Sequence, residues 1–149
     1  MSEALPESFG GIVEDFTALT IADRLQLLLE FSRGLPELPE RYLAHPELLE
    51  PVPECQSPVF LLTEVDGVGE DATVNLFFSA PQEAPTTRGF AGILHEGLDG
   101  LSAREVLAVP ADVYNRLGLA DAVSPLRLRG MAGMLGRIKR QVREKLAAQ

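Results

Sequence analysis

The chain predicts an α+β domain in which a small antiparallel sheet of about three strands packs against several helices. Two β-rich runs, residues 59–65 and 73–79, flank a loop containing Asp66-Gly67, the pattern of an antiparallel hairpin with a longer connection. Helical patterns lie in blocks before and after these runs and do not alternate with strands, which argues against a parallel sheet. Residues 124–149 carry one long amphipathic repeat able to cover a sheet face.

Each element has its own signals. Residues 1–10 are dominated by polar and turn-forming side chains and are expected to be frayed or loosely docked. A short helix follows over residues 12–19. Thr20-Ile21-Ala22-Asp23 resembles a capping box with Asp in place of Glu, and opens a helix that runs to Arg33 and stops at Gly34, with Pro36 beyond. Leu25, Leu28, Leu29 and Ser32 share a stripe that Leu27 and Phe31 widen, so this helix is expected to be deeply buried.

Six of the eleven prolines fall between residues 36 and 58. They predict a stiff, extended surface strap, with residues 48–52 pairing at a sheet edge. The strap is too poor in Gly and Ser for a flexible linker, so the 149 residues read as one domain. After the hairpin, residues 86–98 predict a helix burying Phe90, Ile93, Leu94 and Leu98. Ser102-Ala103-Arg104-Glu105 is a capping box for a short helix ending before Pro110, and residues 113–117 form a further turn. The last helix opens with Ser124 at the N-cap and Pro125 at the first helical position. Leu128, Met131, Leu135, Ile138, Val142 and Leu146 then form its apolar stripe. Gly130, Gly133 and Gly136 each cost roughly 1 kcal/mol there relative to Ala, which predicts that backbone or another loop packs closely against them.

Composition narrows the function classes. There is no apolar run long enough to span a membrane and no basic leader with an apolar stretch after it; with a single cysteine, this points to the cytoplasm. A net charge of −9 argues against a general nucleic-acid binder. Residues 124–149 carry seven basic and one acidic side chain, against six basic and 21 acidic in the rest. Such a basic helix is either a nucleic-acid arm or a solvated face offset by the acidic body, and the second is the commoner arrangement. Neither phosphate-loop nor dinucleotide glycine pattern occurs, and Cys55, His45 and His95 lack metal-ligand spacing.

Cys55 ends the proline-rich strap and precedes the first β-rich run. It suits two roles equally on position alone, a small buried hydrophobe or a reactive thiol. Pairing with His45 or His95 as a thiol hydrolase matches no recognised signature. The remaining chemistry is attack of a thiolate on an electrophilic sulfur, which needs a reachable thiolate and positive potential but no general base. Glu54 opposes ionisation. Arg127 sits in the first turn of the last helix, against the macrodipole, either to meet an anion or simply as an exposed basic residue.

Three stretches then resemble a known family: Glu30-Phe31-Ser32-Arg33-Gly34-Leu35-Pro36-Glu37-Leu38, Cys55-Gln56-Ser57-Pro58-Val59-Phe60 and Ser124-Pro125-Leu126-Arg127-Leu128-Arg129-Gly130-Met131. In this order and spacing they resemble the SufE-type sulfur-acceptor proteins of iron–sulfur cluster assembly, from about residue 24 to the end. The resemblance implies a SufE/IscU-like α+β fold and an accessory protein, not a stand-alone enzyme. It implies no cofactor on this chain, with pyridoxal phosphate (PLP) on a partner SufS-like cysteine desulfurase. Cys55 would take the terminal sulfur of the desulfurase's persulfide, with stimulation of that enzyme, and pass it to a SufBCD-like scaffold. Arg127 matches the arginine near the cysteine loop, and the resting cysteine would lie in an apolar cavity. The chain departs from the family pattern at Glu54, where many members have Gly, at Phe60, often Trp, and at Gln82-Glu83, commonly Ser-Asp. Two other classes remain: a docking or regulatory module that carries no sulfur, and a Cys-dependent hydrolase. A monomer is expected.

Overall fold

The computed structural model describes residues 5–149. It contains one three-stranded antiparallel sheet with strand order β1 (Glu50–Pro51), β2 (Phe60–Asp66), β3 (Thr73–Ser79). The helices precede and follow it: α1 (Glu7–Thr17), α2 (Ile21–Gly34) and the short α3 (Glu40–Leu43), then α4 (Pro85–Leu98), α5 (Ala103–Ala108) and α6 (Pro125–Ala147). This is the expected α+β architecture. No described helix is long and apolar enough to cross a membrane.

The β2–β3 register sets Leu61 opposite Phe78, Thr63 opposite Leu76 and Val65 opposite Val74. Since side chains alternate along a strand, these six share one face. All but Val65 are fully buried, in the core that also takes Phe90, Ile93 and Leu94 of α4 and Met131, Leu135 and Ile138 of α6. The opposite face is half-buried and partly covered by the strap: Tyr42 meets the Phe77 ring edge-on at 5.0 Å, and Arg41 lies over both rings.

Parts of the sheet margin are covered, which shortens the strand backbone open to pairing with another chain. Along β3, the segment after α4 supplies Gly100 N–H to Val74 O and Leu101 O to Val74 N–H. Along β2, the two-residue β1 is too short to pair Thr63, and α6 replaces it: Gln141 accepts from Thr63 N–H at 2.7 Å and Lys145 donates to Thr63 O. The middle of the basic C-terminal helix is therefore engaged by the rest of the fold. Arg137 and Arg140 pair with Glu50, and Lys139 donates to Val109 O.

Four expectations need correction. Helix α1 begins at Glu7, and Phe9 and Phe16 are fully buried, because Phe9 packs on Gly97 of α4; Met1–Ala4 lie outside the described residues. Helix α2 is not deeply buried: only Leu28 and Ser32 are covered, while Ile21 and Leu25 are 44% and 37% exposed. Helix α4 covers one face of α2 closely, through Gly89 and Gly92, while α1 adds the Phe16–Phe31 stack and the Arg24 bond to Phe16 O at its edge. The strap is not continuously extended; it folds into α3 and two short 3-10 turns that bury Tyr42, Leu49 and Val52. Gly136 has no close neighbour, unlike Gly130 and Gly133.

Candidate functional site

The cysteine loop is a short turn fixed at both ends. Val52 N–H donates to Val59 O at 2.9 Å, closing residues 52–59 into a compact excursion from the sheet edge. Within it, Pro53–Cys55 form a 3-10 turn, which proline starts readily because it presets φ. Cys55 N–H donates to Val52 O and Gln56 N–H to Pro53 O, both at 3.1 Å. Gln56 then adopts a left-handed conformation at φ 60°, the one non-glycine residue with positive φ among the described residues. That costs about 1–2 kcal/mol for an L side chain, so the turn holds stored strain beside the cysteine.

Helix α6 receives this turn on its glycines. A Cβ added at Gly130 would stand 3.1 Å from Cys55 Sγ and 3.3 Å from its Cα. One at Gly133 would stand 2.9 Å from the Glu54 carboxyl carbon. Two of the three helical glycines thus let the loop lie flat on the helix, at the helix-propensity cost noted above. Cys55 is 8% exposed, and its thiol faces the Gly130 carbonyl at 3.6 Å. Burial pushes the thiol up to about 11; the neighbouring Glu54 charge adds to this and Arg137 opposes it. Thiol and not thiolate is the resting form.

Arg137 is the cation beside the cysteine turn that sequence reasoning missed. Its guanidinium bonds Glu54 at 2.7 Å and lies 3.2 Å from Glu50. The signal was present: Gly130, Gly133 and Arg137 follow at spacings of three and four, one helical stripe facing the loop. Glu54, expected to oppose ionisation, does so, and the Arg137 hydrogen bond holds its own carboxyl below the usual range.

Arg127 stands one turn before Gly130, exposed, with its backbone N–H accepted by the Ser124 hydroxyl. Among the described residues its side chain makes no hydrogen bond or ion pair. The histidines lie elsewhere in the bonding scheme. His45 is exposed against Glu47, and His95 faces Asp99 at 3.8 Å. A surface cleft of about 490 Å³ between α2 and α4 is lined by His95, Leu27, Phe31 and Asp99 and shares no residue with the cysteine loop. No group of three or more potential metal ligands converges among the described residues.

The chain that builds this geometry is similar to known proteins. The SufE family model, described as an Fe-S metabolism associated domain, matches residues 11–142. The chain belongs to the SufE family. A SufE-like protein of Mycobacterium tuberculosis is 54% identical over 141 residues, covering 95% of both chains. A SufE-like protein of Rhizobium meliloti is 31% identical over 143 residues, covering 95% of this chain and 99% of the relative. The solution structure of a hypothetical protein from Thermus thermophilus superposes with a TM-score of 0.80 at 39% identity, covering 98% of this chain and all of the other. The SufE match spans the cysteine loop, Arg127 and the whole Glu54–Arg137 contact.

Proposed function

We propose that this SufE-family protein is a sulfur acceptor of Fe–S metabolism that takes sulfur on Cys55 from a cysteine desulfurase and hands it to a cluster-assembly scaffold. The observation that carries this reading is the placement of its one cysteine. Cys55 ends a strained turn beside a cation and lies against a helix through a glycine, not inside a rigid element. A cysteine serving only as core filler needs neither the left-handed residue after it nor the glycine seat.

The step is an exchange. The Cys55 thiolate attacks the outer sulfur of the desulfurase's cysteine persulfide. The new Sγ–S bond forms as the donor's S–S bond breaks, and the donor cysteine leaves as a thiolate. Oxidation state is conserved over the pair, so no external oxidant or reductant is needed. The thiol must first leave its buried seat on α6, where the neutral form is favoured, and ionise nearer its ordinary value in water. Under this proposal Arg127, exposed at the head of α6, meets the anion once the turn opens, and PLP belongs to the partner. On this reading the protein works in the cytoplasm, as a monomer, with a SufS-like desulfurase and a SufBCD-like scaffold.

Incubation with a cysteine desulfurase and cysteine, followed by intact mass, tests this. The expected product carries the mass of one added sulfur, absent from Cys55→Ser. Unmodified protein beside a desulfurase that demonstrably forms its own persulfide would overturn the assignment. A docking module would instead keep stimulating the desulfurase after Cys55→Ser.

A further inference from the structure

Cys55 itself is weakly held, by one long S–H···O contact at 3.6 Å. The residue before it is held strongly. The Glu54 carboxylate accepts from Arg137 at 2.7 Å and rests on Gly133, where even a methyl group would collide with it. Arg137 is in turn fixed on α6: it reaches Glu50 at 3.2 Å, Glu50 accepts from Gln141 at 3.1 Å and pairs with Arg140, and Arg140 bonds Glu144 at 2.8 Å. One end of the Glu54–Arg137 contact therefore belongs to a rigid helix and the other to a strained three-residue turn. The pair borders a surface depression of about 340 Å³ lined also by Glu50, Gly133, Gly136 and Arg140, so an incoming group can reach it.

We propose that the Glu54–Arg137 pair, seated on Gly133, is a latch that keeps Cys55 turned in against α6. Glu54 and Arg137 are positioning residues: they govern how often the thiol is presented, and the exchange itself belongs to Cys55. Breaking the pair frees the turn, whose Gln56 strain then favours opening. The bearing of the latch on sulfur transfer rests on the reading above, but its effect on the thiol does not.

The test is the alkylation rate of Cys55 in the full, reduced chain by iodoacetamide, an uncharged probe, measured over a range of pH and salt without any desulfurase. Glu54→Gln leaves Arg137 paired with Glu50, and is expected to raise the rate roughly fivefold, the ratio for loss of a partly buried ion pair. Removing the Glu54 charge also eases ionisation of the neighbouring thiol, which adds to the acceleration only at lower pH. A latch acts on the open fraction, so an acceleration persists at high pH, where the exposed thiol is fully ionised, and added salt accelerates the parent but not the variant. Gly133→Ala keeps both charges, removes the seat and is expected to accelerate alkylation as well. An unchanged rate in Glu54→Gln would overturn the proposal. So would an acceleration that vanishes altogether at high pH, since that marks a charge effect on ionisation alone. Because no partner is present, failure of sulfur acceptance leaves this result standing, and the reverse holds too.

Discussion

At the scale of single residues, the site is a balance between holding a thiol and releasing it. Gly130 supplies the space: a Cβ there meets both Sγ and Cα of Cys55, and backbone is the costlier to move. Gly130→Ala is therefore expected to lift the turn off α6, lowering stability by about 1–3 kcal/mol and accelerating alkylation; urea unfolding and iodoacetamide labelling check the two effects. Ionisation has a definite sign. The folded thiol value of about 11 lies above the ordinary 9.0, so burial of Cys55 contributes stability below pH 9 that is lost between the two values. Cys55→Ala is expected to flatten that alkaline decline in the urea midpoint. Cys55 and Arg127 were legible as candidates because proline, a single cysteine and a helix start are local signals. Arg137 was not singled out, since its meaning depends on Glu54 lying across the helix from a position 83 residues away.

At the scale of elements, glycines decide where helices touch. Helix α4 approaches α2 so closely that a Cβ at Gly92 would stand 2.2 Å from the Phe31 carbonyl oxygen. Backbone cannot rotate aside as a side chain can. Gly92→Ala is expected to cost about 3 kcal/mol or more, read as a lowered urea midpoint. Sheet and helix also depend on each other through Gln141, which takes the place of a missing strand partner at Thr63. Gln141→Leu leaves a buried N–H without an acceptor and is expected to cost about 1–3 kcal/mol in the same assay. The hairpin, the Ser102 capping box and the Ser124 cap all appear where turn and cap chemistry placed them, because those signals act within four residues. Burial of α2 was overstated for the opposite reason. Its leucines ring most of the helix, and periodicity does not say how many neighbours will come to cover them.

At the scale of the whole molecule, charge segregation along the chain becomes charge pairing in the fold. The acidic body meets α6 through Glu50 and Glu54, and Glu64 is held by Arg41 and Tyr42 of the strap; all three carboxyls sit below the usual value. For Glu54 the chief cause is the Arg137 bond. For Glu50, burial acts upward and is outweighed by bonds from Arg140 and Gln141; for Glu64, burial is outweighed by Tyr42 and Arg41. Such groups lend stability that is present above the ordinary carboxylate value of 4.5 and is lost as pH falls through the lower folded values. The urea midpoint is accordingly expected to hold from neutrality down to about pH 5 and to fall below it. The family resemblance rested on three separated stretches, and the fold joins two of them directly by laying the cysteine turn on the first turns of α6. The central claim is that this junction moves sulfur. A desulfurase loaded with its persulfide, freed of cysteine and mixed once with this protein, tests it most directly by intact mass of both partners. The account predicts one sulfur leaving the desulfurase and arriving on Cys55; retention of that sulfur by a desulfurase that releases it to a small thiol would contradict it.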